Sequence, residues 1–263
     1  MNALFSTAGV ARAAGVGLST VKRWADSGML VCVRTAGGHR RFALPDVERL
    51  VRAQASPTAA APLELLDLLL GGSAHEIEGA LLEARGRLGA WHRVADSLGS
   101  VIEEVGRLWR DGHLTVIEEH LASEALARAL AAVGDSLPSA KRAPRCLLAC
   151  ADGDEHTLGL SLAELCLREA GWLPLWSGRA TPMNELIRRL DKRDLRLVAL
   201  SASSRSNEQR ALERQARRLA VACRAAGAAL VLGGRGAWPE RPRDAVRMQR
   251  FDEFHAWLGK MAS

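Results

Sequence analysis

After residue 144 the chain repeats one pattern, and that pattern restricts the fold more than any other feature. Short apolar runs, "RCLLAC" (145–150), "WLPLWSG" (172–178), "RLVALS" (196–201) and "AALVLGG" (228–234), alternate with amphipathic stretches near 159–170, 182–192 and 207–226. A further short run near "AVRMQ" precedes a last helical stretch, "FDEFHAWLGKMA". Strands separated by helices run parallel, because each helix returns the chain to the same sheet edge, and helices then cover both faces. Residues 144–263 are therefore expected to form a doubly wound, Rossmann-like parallel-sheet domain. Ligands of such sheets sit beyond the carboxyl ends of the strands. That rule makes "ACADGDEHTLGL" (149–160) a candidate ligand edge.

Upstream, the periodicity is helical throughout. Ser73 precedes Glu76 by three, and Thr115 precedes Glu118 by three. Both are capping-box spacings, which mark helix starts. Four helices joined by short loops predict an antiparallel bundle over 63–135. A Pro- and Ser-bearing break, "GDSLPSAKRAPR", separates it from the sheet domain, and a linker over 56–62 separates it from residues 1–55.

Residues 1–55 carry 8 Lys/Arg against 3 Asp/Glu, whereas residues 56–135 carry 6 against 13. A small basic head on an acidic middle suggests a nucleic-acid reader fused to something else. "STAGVARAAGVGLSTVKRWADSGML" gives a short helix, a turn at Gly15-Val16-Gly17 and a second helix from Leu18 to about Asp26, which is helix-turn-helix spacing. Ser19, Thr20, Lys22 and Arg23 lie early on that second helix, where a groove-reading helix presents side chains. A strand, a Gly37-Gly38 turn and a basic returning edge follow, with Arg34, His39, Arg40 and Arg41 around the turn as a wing suited to phosphates. A further helix capped by Asp46 or its neighbours closes the segment. On residues alone, a structural helical domain with a solvated basic face is the competing reading.

No apolar run approaches the ~18 residues of a membrane span, and the start lacks a basic region before a long apolar core, so no signal peptide is read. The five cysteines (Cys32, Cys146, Cys150, Cys166 and Cys223) are odd in number and scattered, and Cys146 and Cys150, in an apolar strand, read as buried free thiols, which suits a reducing cytoplasm.

Over residues 4–52 the chain resembles the MerR family of winged-helix regulators, through Gly15-Val16, "STVKRW", Gly28, and "RTAGGHRRF" followed by Asp46. The resemblance implies a dimer or higher oligomer, up to a tetramer, on a two-fold duplex DNA operator.

Asp154-x-His156-x-x-Gly159 ends the first strand of the sheet domain. An imidazole on such a loop can hold a metal by one ring nitrogen while a carboxylate two residues earlier binds the other and tunes its basicity. A histidine on a strand-end loop is also compatible with a plain surface role. The spacing resembles the DxHxxG motif of cobalamin-binding domains. Thr181-Pro182 after the second strand, Ser201 and Ser203 ("LSAS") after the third, and Gly233-Gly234 after the fourth keep the family's order. The resemblance implies cobalamin, with His156 on cobalt, Gly159, Thr181 and the serines near its tail, and the glycine pair near its buried base.

"WRDGHLTVIEEH" places Trp109 nine residues ahead of Glu119-His120. Alone, these residues read as a core tryptophan and a helix surface. The spacing resembles the Wx9EH motif of CarH/LitR-type light-responsive repressors. There the tryptophan covers the upper axial adenosyl group, and the acid and histidine contact it. The best-known members follow the tryptophan with a histidine; this chain has Arg110, with His113 further on. His75 and His92 are read as surface residues without a role.

These expectations describe a cytoplasmic, non-enzymatic repressor that senses light through adenosylcobalamin, or else methylcobalamin, with cobalamin state controlling assembly. The rivals are a corrinoid protein of a methyltransferase system, a regulator that senses cobalamin without a light switch, and a regulator with a vestigial site. The amino-terminal helix-turn-helix speaks against the first, and intact Asp154, His156 and Gly159 against the last.

Overall fold

The computed structural model describes residues 4–14, 16–26, 30–35, 37–47, 60–138 and 142–262. Gly15, Gly28 and residues 56–59 of the expected linker lie outside that set.

The amino-terminal segment runs β1 (Leu4–Ser6), α1 (Thr7–Ala14), α2 (Leu18–Asp26), β2 (Cys32–Arg34) and β3 (Arg40–Ala43). The three strands form an antiparallel sheet in the order β1-β3-β2. Strand β1 was not expected; three residues, "LFS", are too few to display a period. Val10 and Ala11 of α1, Val21 and Trp24 of α2, and Phe42 of β3 make one small core. Because Val21 and Trp24 take the inner face of α2, Ser19 and Lys22 are left outward. The chain is helical again from residue 44, which puts Asp46 inside a first turn rather than ahead of it.

Four helices follow: α3 (Ala60–Gly71), α4 (Ala74–Leu88), α5 (Trp91–Arg110) and α6 (Val116–Ser136). Helix α3 starts earlier than expected, with Pro62 in its first turn, where a missing N–H costs no intrahelical bond. Both capping boxes form. Glu76 accepts from the Ser73 backbone and hydroxyl at 2.8 Å each, and Glu118 accepts from those of Thr115 at 2.8 and 2.7 Å.

The α/β part runs β4 (Arg145–Cys150), α7 (Leu158–Glu169), β5 (Leu173–Trp176), α8 (Met183–Leu190), β6 (Leu197–Ser201), α9 (Gln209–Ala226), β7 (Ala229–Gly233), β8 (Val246–Arg247) and α10 (Phe251–Ala262). All its strands pair in parallel, in the order β5-β4-β6-β7-β8. Leu147, Ala149, Val198 and Leu200 point alternately into one face, where they pack with α8 and α9. Helices α7 and α10 pack with each other, and α7 also lies on β4 and β6. Order 2-1-3-4-5 reverses between β4 and β6, so the loops after these two strands diverge there and open the crevice that such sheets use for ligands.

By compactness the chain divides into two units. One takes in the residues up to Ile77 together with Ser97–Leu126; the other takes in Glu78–Asp96 with Ala127–Ser263. The second unit holds short stretches of the helical region because specific contacts bind them to the α/β part. Glu169 accepts from Arg85 and from the Trp91 backbone, and Asp96 accepts the amides of Phe251 and Asp252 at the start of α10.

Cys146, Cys150, Cys166 and Cys223 are buried free thiols. Burial pushes the Cys150 thiol up to about 11 and the Cys223 thiol to about 12, so neither is reactive near neutrality. Among the described residues no helix is long and apolar enough to cross a membrane.

Candidate functional site

Strand β4 delivers the chain to the crevice, and residues 151–157 turn there before α7 begins. The Asp154 side chain is 1% exposed and accepts four hydrogen bonds. Its Oδ1 takes the His156 amide at 2.9 Å and the His156 ring Nδ1 at 2.9 Å. Its Oδ2 takes the Ser203 amide at 2.5 Å and the Ser206 hydroxyl at 2.7 Å, both from the loop after β6. Burial alone would raise this carboxyl. The amides of His156 and Ser203, the Ser206 hydroxyl and the imidazole outweigh it and hold the group down at about 2. An ionised carboxylate can only accept, so Nδ1 must carry the proton and Nε2 the lone pair. The imidazole is 54% exposed, so the ring is open to an approaching ligand. This is the tautomer, and the carboxylate support, that a metal-ligating histidine uses.

The other predicted residues of the sheet edge behave differently from one another. A Cβ placed on Gly159 would find only Ser201 Oγ, at 3.8 Å, and one on Gly233 would find nothing within 4 Å. Nothing in the fold therefore demands glycine on steric grounds at these two places, and both leave open space beside the crevice. Gly234 is different: it sits at φ +79°, and a Cβ there would lie 2.2 Å from the Ala202 carbonyl oxygen. Its need is internal to the sheet. Ser201 is buried, Ser203 serves Asp154 through its amide, and Thr181 Oγ1 donates to the Ser177 carbonyl at 2.7 Å. Beside Thr181, Ala180 takes φ 50°, a conformation costly for a residue with a Cβ. Asp152 Oδ1 accepts the Met183 amide at 3.0 Å at the start of α8.

Ser206 escaped the sequence reading, although it donates to Asp154. A serine 52 residues away in a polar loop gives no local signal. Trp238 also escaped; it is buried and donates from Nε1 to the Gly233 carbonyl at 2.8 Å.

Trp109 is half-buried in the last turn of α5. Glu119 and His120 lie in the first turns of α6; Glu119 Oε1 accepts from Ser123 at 2.7 Å, and His120 Nε2 stands 3.7 Å from Glu119 Oε2. Arg110 and His113 are exposed. Around Glu119 and His120, Val116, Ile117 and Leu121 expose 55%, 62% and 64% of their surface. Three large apolar side chains left open on two helical turns form a patch suited to an apolar contact, which the sequence reading did not single out.

In the amino-terminal unit, Ser19, Lys22, Arg34 and His39 are exposed and Thr20 and Arg41 half-buried. The turn joining β2 and β3 closes through the Thr35 amide on the His39 carbonyl at 2.9 Å. Two of the predicted cations already serve the fold. Arg23 Nε stands 3.4 Å from Asp67 Oδ1 on α3, and Arg40 pairs with Asp26 at the end of α2. Burial raises the Asp67 carboxyl, with Arg23 opposing the rise.

Comparison with known proteins matches two parts of the chain to separate family models. Residues 5–55 match the MerR HTH family regulatory protein model, and residues 63–133 match a B12 binding domain model. The chain is homologous to two repressors of Myxococcus xanthus. It is 42% identical to the HTH-type transcriptional repressor CarA over 69 residues, which span 26% of this chain and 24% of CarA. It is 29% identical to the HTH-type transcriptional repressor CarH over 215 residues, 67% of this chain and 71% of CarH. Among solved structures, the Methanosarcina barkeri monomethylamine corrinoid protein shares the fold, with TM-score 0.55 at 15% identity over 74% of this chain and 94% of its own.

Proposed function

We propose that this homologue of the CarA and CarH repressors is a cobalamin-dependent transcriptional repressor that binds operator DNA through its amino-terminal unit. The observation that carries the cofactor assignment is the Asp154–His156 pair, a half-exposed imidazole with Nδ1 fixed by a buried carboxylate at the topological reversal of the sheet. The donor set fits the group. Cobalamin, when bound with an adenosyl upper ligand, supplies a cobalt that accepts an axial nitrogen and a cobalt–carbon bond that light can break.

His156 would hold the cobalt through Nε2, and Asp154 would orient the ring and sustain its basicity. Gly159 and Gly233 leave room where a large rigid tail must pass, with Thr181, Ser201, Ser203 and Gly234 lining its course. Trp109 would offer a flat apolar face to an adenosyl group, Glu119 would accept hydrogen bonds from its hydroxyls, and His120 would assist. Residue 110 is arginine, which does not ligate cobalt, so His113 would be the neighbouring imidazole open to the cofactor after illumination.

On DNA, Ser19 and Thr20 of α2 face the major groove, and Lys22, Arg34, His39 and Arg41 contact phosphates. Arg23 and Arg40 divide their charge between phosphates and their internal partners Asp67 and Asp26. The chain works as a dimer or tetramer whose assembly the cobalamin state sets. A ligand achieves this only by binding one assembly better than another, and multivalent contact then multiplies operator affinity. A methyl carrier would have no use for the MerR-like segment.

The test is an absorption spectrum of the chain loaded with adenosylcobalamin, in the dark and after green light, beside His156→Ala. The intact chain should show a histidine-ligated spectrum that changes on illumination, and His156→Ala should bind weakly with a spectrum lacking that ligand. Identical spectra and affinity in the two proteins would overturn the assignment.

A further inference from the structure

His92, read from sequence as a surface residue, is half-buried. It lies in the first turn of α5, its ring stacked on that of His255 in α10, with centroids 4.3 Å apart and planes 20° apart. The Nδ1 atoms of both rings are buried and have no hydrogen-bond partner. Buried polar atoms without partners are rare in folded chains and call for an explanation. Glu169, at the end of α7, completes the cluster. One ligand atom from each of His92, His255 and Glu169 can be chosen so that all lie within 4.8 Å of one another. All three residues belong to the same compact unit.

We propose that His92, His255 and Glu169 form a site for a divalent transition-metal ion, zinc by preference, separate from the Asp154–His156 site. Two imidazoles and one carboxylate are a donor set that zinc accepts, with water as fourth ligand. Zinc–nitrogen bonds of 2.0–2.1 Å require ligand atoms about 3.3 Å apart in a tetrahedron, so the two stacked rings must turn out of their 20° alignment toward the ion for the site to close. The carboxylate is already oriented. Glu169 Oε1 faces Arg85 Nε at 3.0 Å and Nη2 at 2.7 Å, and Oε2 accepts the Trp91 amide at 2.9 Å, leaving a lone pair on Oε2 for a cation. Supporting hydrogen bonds of this kind hold metal-ligating carboxylates elsewhere. Glu169 and Asp96 are the acidic groups facing His92, with Arg93 and His255 opposing them. A bound ion would staple the start of α5 to α7 and α10.

The test is calorimetric titration of the tag-free, full-length, cobalamin-free chain with Zn2+, beside His92→Gln, His255→Asn and His156→Ala. One zinc per chain is expected for the intact protein and for His156→Ala, with affinity reduced more than tenfold in His92→Gln and in His255→Asn. Zinc should also raise the melting temperature of the intact chain and leave that of the two histidine variants unchanged, which separates lost ligation from lost folding. The site is refuted if the intact chain binds no zinc, or if both histidine variants bind and are stabilised by zinc as the intact chain is. A site lost in His156→Ala but kept in the other two would place zinc at the axial position and overturn the proposal equally.

Discussion

Replacing Asp154 by asparagine removes a charge and keeps the shape. The carboxylate accepts four hydrogen bonds, from the His156 amide, the His156 ring, the Ser203 amide and the Ser206 hydroxyl. An amide oxygen can keep two of them, and the new NH2 would face the remaining donors. The carboxyl is held at about 2 against an ordinary 3.8. Nearly two pKa units at about 1.4 kcal/mol each give roughly 2.5 kcal/mol of folding stability tied to ionisation. A folded-state pKa below the unfolded one stabilises fully above the unfolded value. The contribution then fades as pH falls through the folded value. Urea unfolding should therefore find Asp154→Asn less stable than the intact chain by about 2.5 kcal/mol between pH 5 and 7. The gap should narrow as pH drops from about 4 toward 2. Cobalamin affinity should fall about 10- to 100-fold, the usual cost of removing the support of a metal ligand. A stability gap that is absent, or that does not change with pH, would refute the claim that an ionised Asp154 sets the imidazole.

Gly159 and Gly234 separate cofactor from fold. Gly159→Ala meets no close atom and lies in the first turn of α7, where alanine is the better helix former; its melting temperature should be unchanged or higher while cobalamin affinity drops. Gly234→Ala places a Cβ against the Ala202 carbonyl at positive φ and should cost about 2 kcal/mol or more in denaturant melts, with or without cobalamin. Operator affinity measured against salt should fall steeply, and Lys22→Ala should flatten the log–log slope by about one. Equal slopes for the two proteins would remove Lys22 from the phosphate contacts.

The strands were legible because β4 and β6 are apolar on both faces, and helices α8 and α9 were legible from their period. Motif spacing located Asp154 and His156, but not what fixes them. The Ser206 clamp comes from the next-but-one strand's loop, and nothing in a polar "SSRSN" marks it. The basic residues of the head were visible as charge, yet the pairing of Arg23 with Asp67 and Arg40 with Asp26 depends on helix positions that spacing alone does not set. Val116, Ile117 and Leu121 fit a helical pattern like any core residues, and only the packing shows them exposed. His92 failed for the opposite reason: an isolated histidine near a helix start reads as surface, and its burial comes from α10, more than 150 residues on.

The most direct test of the central claim measures operator DNA binding by fluorescence anisotropy in apo, dark-loaded and illuminated samples of the intact chain and of His156→Ala, with oligomeric state followed by size exclusion. The dark-loaded intact chain should bind the operator more tightly than the apo chain and as a larger assembly. Illumination should reverse both changes, and His156→Ala should show neither. Equal affinity and equal size in all three states of the intact chain would contradict regulation by cobalamin.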